Sequence, residues 1–135
     1  MRTFALVFDT GDEALAGLEA FSREQGLTAA SFTAIGAFSG VKLGYFDWEA
    51  KDYRPIEIEE QVEVLVLAGD VADKDGEPQV HAHVVVGKRD GTAHGGHLLE
   101  GRVRPTLEVV LVESPAHLRK RPDAETGLAL IALDA

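Results

Sequence analysis

The segment Val80-His81-Ala82-His83-Val84-Val85-Val86, followed by Gly87-Lys88-Arg89-Asp90-Gly91, leaves this chain few conformational choices. An apolar, β-branched run favours an extended strand, and a short polar stretch between two glycines reads as a hairpin turn. Side chains two apart in a strand share a face, so His81 and His83 lie side by side. A three-residue loop Arg89-Asp90-Gly91, with Gly91 left-handed, sets Lys88 opposite Thr92, His83 opposite His97 and His81 opposite Leu99. Opposed residues share a face, and three imidazoles then converge on one patch. Gly95-Gly96 leaves room for a bulge that would shift this register. His94 has the other strand parity, and His117 falls in a polar terminal segment read as solvated.

A lone histidine on a strand is more often a packed, hydrogen-bonded residue than a ligand, and H-x-H by itself is weak evidence for a metal. The trio shifts that balance, because turn chemistry brings all three together. Three neutral imidazoles with one open position are the donor set of a catalytic-type zinc site. The chain has no cysteine, so any metal must use histidine, carboxylate and water. Imidazole donors suit zinc.

At 135 residues the chain is expected to form one domain, 1–135, with its own core. No stretch approaches the length of a membrane span, and the start lacks signal-peptide architecture, so a cytoplasmic location is expected. The formal net charge is −10, with the acid excess concentrated in residues 1–75. That sign repels phosphate backbones and disfavours generic nucleic-acid binding. Arg119-Lys120-Arg121 reads as a short solvated patch. The chain has no Asn, one Met, and more Arg than Lys, a bias that fits a heat-adapted source or a GC-rich genome.

Along the chain, Arg2 to Phe8 reads as a strand. Thr10-Gly11-Asp12-Glu13 resembles a capping box with Thr10 as cap, opening a helix with Leu15, Leu18 and Phe21 on one face and Gly26 as its stop. Ser31–Ile35 and Val41–Phe46 read as two strands punctuated by Gly36 and Gly40, which suggests a turn and close backbone approach. Further strands are expected at Arg54–Ile58, Val62–Asp70 and Thr106–Val112, with a hairpin turn at Asp73–Gly76. Pro115 to Asp123 reads as irregular, and Gly127 to Leu133 as a last strand. One helix among seven or eight strands joined by short turns is an α+β domain built on antiparallel sheet. The expected core comprises Phe4, Leu6, Leu15, Leu18, Phe21, Ile35, Val64, Val66, Val84, Val109 and Leu111.

The wording of these segments resembles a known family. Ala34-Ile35-Gly36-Ala37 and Gly44-Tyr45-Phe46-Asp47 precede Val62-Glu63-Val64-Leu65 and Leu67-Ala68-Gly69-Asp70. Then come Pro78-Gln79-Val80-His81-Ala82-His83, Gly95-Gly96-His97-Leu98-Leu99-Glu100-Gly101 and Pro105–Leu111. From Phe4 to about Val112 the chain resembles the prokaryotic branch of the PPC (plants and prokaryotes conserved) domain family, long carried as a domain of unknown function. The resemblance implies a homotrimer with a fold similar to acetolactate decarboxylase, a zinc enzyme that also uses three histidines. It implies His81, His83 and His97 as ligands of a metal, with zinc the expected cofactor. Plant members carry an AT-hook, and prokaryotic ones often inherit a DNA-binding label. This chain has no Arg-Gly-Arg-Pro core, and its nearest string, Gly101-Arg102-Val103-Arg104-Pro105, has the wrong order.

Three functions compete. One is a small zinc enzyme acting on a polar metabolite, with the metal polarising a carbonyl or generating hydroxide. Glu100 is the nearest carboxylate but has the wrong parity from His97 to serve as base, and Tyr45 and Arg102 are substrate-contact candidates by type alone. The second is a non-enzymatic module that binds a ligand or protein partner. The third, a DNA-binding regulator, has the family label behind it and the charge against it. A concave pocket favours the first, and a flat apolar patch the second.

Overall fold

The computed structural model describes residues 1–114 and 119–133; His117 lies outside them. The elements are β1 (Thr3–Asp9), α1 (Ala14–Glu24), β2 (Ala29–Asp47), β3 (Asp52–Ile58), β4 (Val62–Lys74), β5 (Glu77–Gly87), β6 (Ala93–Glu113), β7 (Lys120–Pro122) and β8 (Ala129–Ile131). All strand pairs are antiparallel and one helix accompanies them, the α+β class expected.

Six strands form one sheet in the order β1-β6-β5-β4-β2-β3, and an additional β6–β2 pairing closes β6, β5, β4 and β2 into a ring. Two long strands make this possible. On β2, residues 29–38 pair with β4, residues 41–47 pair with β3, and the other edge runs along β6. On β6, residues 93–97 pair with β5, residues 106–112 with β1, and residues 97–113 with β2. The expectation of two strands with a turn at Gly36–Gly40 is therefore corrected: the chain runs straight through as one strand. Register shifts stand in place of the turn, and the close backbone approach expected of these glycines is present at Gly36. A Cβ at Gly36 would lie 2.1 Å from the Thr106 carbonyl oxygen.

The ring's interior is packed with apolar side chains, among them Phe38, Leu43, Leu67, Val84, Leu98, Leu107 and Leu111. Of the expected core, Leu18, Val64, Val84, Val109 and Leu111 are buried, and Phe4, Leu6, Leu15 and Phe21 pack against it half-buried. Ile35 and Val66 are corrections, at 59% and 42% exposed. Ile35 sits in the register shift between Ala34 and Gly36, and Val66 borders the one between Val64 and Val66, where Leu65 is skipped and the alternation reverses.

The helix packs on both β5 and β6. Its start differs from the capping box expected. Glu13 is itself the N-cap: its carboxylate accepts from Ala16 N at 2.9 Å and Leu15 N at 3.2 Å. The same carboxylate accepts from Gly101 N at 2.9 Å, tying the helix to β6. At the other end Gly26 (φ 66°) is the left-handed stop, with Leu27 N donating to Ser22 O at 2.9 Å and Gly26 N to Arg23 O at 3.2 Å.

Candidate metal centre

The hairpin that carries the histidines is set by its turn. Lys88 N donates to Thr92 O and Gly91 N to Lys88 O, both at 2.9 Å, with Gly91 left-handed at φ 85°. Asp90 Oδ1 accepts from Thr92 N at 2.9 Å and from Thr92 Oγ1 at 2.6 Å, which locks the loop. From there the register runs without a shift through Val86↔His94 and Val84↔Gly96 to His83↔His97. Ala82, Val84 and Leu98 point inward and are buried, so His81, His83 and His97 project from the outer face. His94 has the opposite parity to that patch and meets Thr92 Oγ1 at 3.2 Å.

One part of the expected register is corrected. The β5–β6 pairing ends at His83↔His97, and His81 does not face Leu99. From His97 onward β6 leaves β5 for β2, pairing His97 with Gly44 and Leu98 with Leu43, while His81 pairs with Asp70 of β4. The histidines therefore stand where two strands part. The rings remain close: centroids are 5.0 Å apart for His81–His83, 5.1 Å for His81–His97 and 5.7 Å for His83–His97. One ligating atom from each lies within 4.8 Å of the others. Small side-chain rotations bring such a set onto one ion at bonds of about 2.0–2.1 Å. The donor chemistry fits too. His97 Nδ1 is buried and has no hydrogen-bond partner, and an orphaned buried nitrogen is uncommon unless something absent from the protein satisfies it.

Tyr53 fixes the His97 ring. It stacks on the imidazole with centroids 4.0 Å apart and planes 15° from parallel. It reaches there from β3 by crossing Gly44, where a Cβ would stand 2.9 Å from Tyr53 Cδ1. Phe46 meets the Tyr53 ring edge-on at 5.5 Å.

Burial, reinforced by neighbouring charge, favours the neutral form of His81 and His97. Burial pushes His97 down to about 4, helped by His81, His83 and Lys120. His81 is lowered by burial first, then by Lys120 and His83, with Asp70 opposing. Lys120 itself is lowered by burial, again with Asp70 opposing.

Lys120 corrects another expectation. Rather than a solvated patch, it is 8% exposed at the start of β7, in a segment expected to be irregular. Its Nζ stands 3.9 Å from Asp70 Oδ1, an ion pair longer than a hydrogen bond. The β7–β8 hairpin forms one wall of a cavity of about 270 Å³ lined by Tyr53, His81, His97, Lys120 and residues 127–130. The other side-chain candidates lie elsewhere. Glu100 and Arg102 pair with each other at 3.4 Å and line a separate cavity with Lys42 and Glu57. Tyr45 is 70% exposed and lines neither cavity.

Tyr53, Asp70 and Lys120 were missed in the sequence. Asp70 was within reach. Asp75 and Gly76, both at positive φ, form a two-residue turn that pairs Lys74 with Glu77 and therefore Asp70 with His81. Lys120 carries no local signal, because its contact partner, Asp70, lies 50 residues earlier.

The sequence model of the Plants and Prokaryotes Conserved (PCC) domain family matches residues 1–115. The chain belongs to this family. A PPC protein of Pyrococcus horikoshii, known from its crystal structure, is 37% identical over 98% of this chain and 92% of its own, with a TM-score of 0.93. A metal-containing protein of Archaeoglobus fulgidus is 38% identical over 98% of this chain and 94% of its own, with a TM-score of 0.89. A Bacteroides thetaiotaomicron protein named as a candidate DNA-binding protein is 25% identical over 98% and 93%, with a TM-score of 0.94. The fold is that of acetolactate decarboxylase as well. The Bacillus subtilis enzyme superimposes with a TM-score of 0.64 at 14% identity, over 98% of this chain and 60% of its own, a likeness of fold alone. Bifunctional protein GlmU of a Synechococcus strain is 33% identical over 130 residues, 94% of this chain; the chain spans 20% of that relative's length.

The depressed His97 has a consequence for the metal-free protein. Its folded pKa, about 4, lies below the unfolded value of 6.5, so on acidification the unfolded chain takes up a proton that the folded one refuses. Stability is complete above 6.5 and falls as pH drops from there towards 4. Chelator-treated protein should melt at steadily lower temperature across this window, with a shallower slope in His97→Gln. A melting temperature that stays level from pH 7 to pH 4.5 would contradict the assignment.

Proposed function

We propose that His81, His83 and His97 hold one zinc ion with an open coordination position, in a homotrimer that acts on a small polar ligand. The convergence of the three ligating atoms within 4.8 Å carries this reading, supported by the unpartnered, buried Nδ1 of His97. The metal-containing Archaeoglobus relative is consistent with it. Bound there, such an ion would supply Lewis acidity to a carbonyl or a hydroxide at neutral pH. The protein's own part is to favour the neutral form of His81 and His97, hold His97 under Tyr53, and line a cavity beside them. That concave space favours a small-molecule site over a purely structural one. Among the described residues no helix is long and apolar enough to cross a membrane.

Purified protein should carry about one divalent metal per chain. His83→Ala should remove most of it. Elemental analysis showing equal occupancy in wild type and in the triple alanine variant of His81, His83 and His97 would sink the metal assignment.

The apolar outer face of the sheet supports self-association. Val7, Ile35, Val110 and Val112 are each 45–64% exposed, and the register sets them on one face of β1, β6 and β2, with Glu108 between Val7 and Ile35. Exposed apolar faces of this kind mark interaction sites. Light scattering should return about three times the chain mass of 14.5 kDa. Val110→Lys should lower that value, and a wild-type monomer at micromolar concentration refutes the trimer.

A second reading, a non-enzymatic binding module, draws on the same apolar face. A DNA-binding role draws only on labels. With net charge −10 per chain, phosphate contacts that supply non-specific affinity are opposed. Mobility-shift titration at low salt with mixed and A·T-rich duplexes should show no sub-micromolar complex; finding one reverses this conclusion.

A further inference from the structure

The geometry points to Lys120 as the anchor for a carboxylate on the small ligand of the metal site, so that the site takes a small organic acid through two points, oxygen on the metal and carboxylate on the ammonium. The inference rests on the metal reading of the three histidines. Its own support is separate. The Lys120 side chain is 4% exposed, which is unusual for lysine. It lines the same cavity as His81 and His97. Its one ion-pair partner among the described residues, Asp70 Oδ1, is 3.9 Å away, and that oxygen is buried without a hydrogen bond. The ammonium is thus largely desolvated and held by one loose ion pair, while the Asp70 carboxylate keeps 28% of its side chain exposed and leaves its buried Oδ1 without a hydrogen bond. A buried ammonium in this condition gains from a carboxylate delivered at hydrogen-bond distance.

The position of Lys120 in the chain adds a second point. The family match ends at residue 115, and Lys120 lies beyond it with the rest of the β7–β8 wall. The ligand's reacting end would thus meet residues of the matched region, and its acid group would meet the terminal hairpin. Cavity size agrees with a small acid: about 270 Å³ is just under the range of roughly 300–1,000 Å³ for drug-sized ligands. Lys74 lines the same cavity and adds positive charge to it.

Cobalt-loaded protein, whose visible spectrum responds to ligands entering the metal shell, tests this with glycolate and its neutral isostere glycolamide. Wild type should bind glycolate about tenfold or more tighter than glycolamide. Lys120→Met should keep its cobalt and lose that preference. Asp70→Asn should bind glycolate more tightly than wild type, because the competing carboxylate is gone, and this variant carries the test if Lys120→Met fails to fold. Cobalt-loaded wild type that binds both ligands alike, or an Asp70→Asn variant with weakened glycolate binding, overturns the anchor and leaves the metal site standing. Wild type that takes up no cobalt overturns both.

Discussion

The parting of β6 from β5 at the His83–His97 pair is the constraint on which the rest of this structure depends. A ring of four strands cannot close without sharp local bending, and two strands of 19 and 21 residues supply it by changing partners along their length. Bending is concentrated at bulges. Between the bulges, close approach within the ring is possible where the residues are glycines. A Cβ at Gly69 would stand 2.1 Å from the carbonyl oxygen of His81, and one at Gly101 would stand 2.6 Å from the ring of Phe38. The first of these links packing to function directly. Any side chain at Gly69 would push the His81 backbone away from β4, and with it one of the three imidazoles. The separation of the histidines is thus a property of strand closure, set by residues that touch neither a metal nor a ligand.

Where strands part, backbone groups lose partners, and the helix compensates. Glu13 spans the gap by capping α1 and accepting from Gly101 N on β6 with the same carboxylate. Gly11 N and Val103 N complete the join, donating to Val103 O and Asp12 O at 2.9 Å each. The expected Thr10 cap lost because Glu13 serves both the helix and the strand. Thr10 Oγ1 instead reaches the Pro105 carbonyl at 3.4 Å.

What the sequence disclosed and what it hid divide along the range of the interactions. The Lys88–Thr92 turn is local, and from it the pairing of His83 with His97 followed. The helix end at Gly26 and the strand at 129–131 were likewise legible from nearby residues. Ile35 and Val66 were misjudged because a bulge inverts the alternation, and nothing in Ala34-Ile35-Gly36 or Val64-Leu65-Val66 shows which neighbour carries the extra residue. The second partner of β6 was hidden for another reason. The departure of Leu98 to Leu43 depends on a strand 55 residues earlier, and no local pattern encodes it. Lys120 is the extreme case, since a basic triplet near a terminus is ordinarily solvated and only the tertiary fold buries it against Asp70.

Charge at the centre is set by two opposed effects of that lysine. Lys120 adds to the burial that chiefly lowers the proton affinity of both His81 and His97, which frees their nitrogens for a metal at neutral pH. The same ammonium repels the incoming cation. Asp70 of β4, paired with His81, offsets the repulsion without abolishing it, because at 3.9 Å its ion pair with Lys120 is loose. Loaded with a divalent ion, three neutral imidazoles and one Lys–Asp pair would leave the ion's charge uncompensated inside a walled cavity. A chain of net charge −10 repels anions at long range. Within a Debye length of roughly 8 Å, however, the local sign governs. An acid in the cavity would meet Lys74 and Lys120 beside the histidines, and the group best placed to draw it from water is the ammonium already stripped of its own.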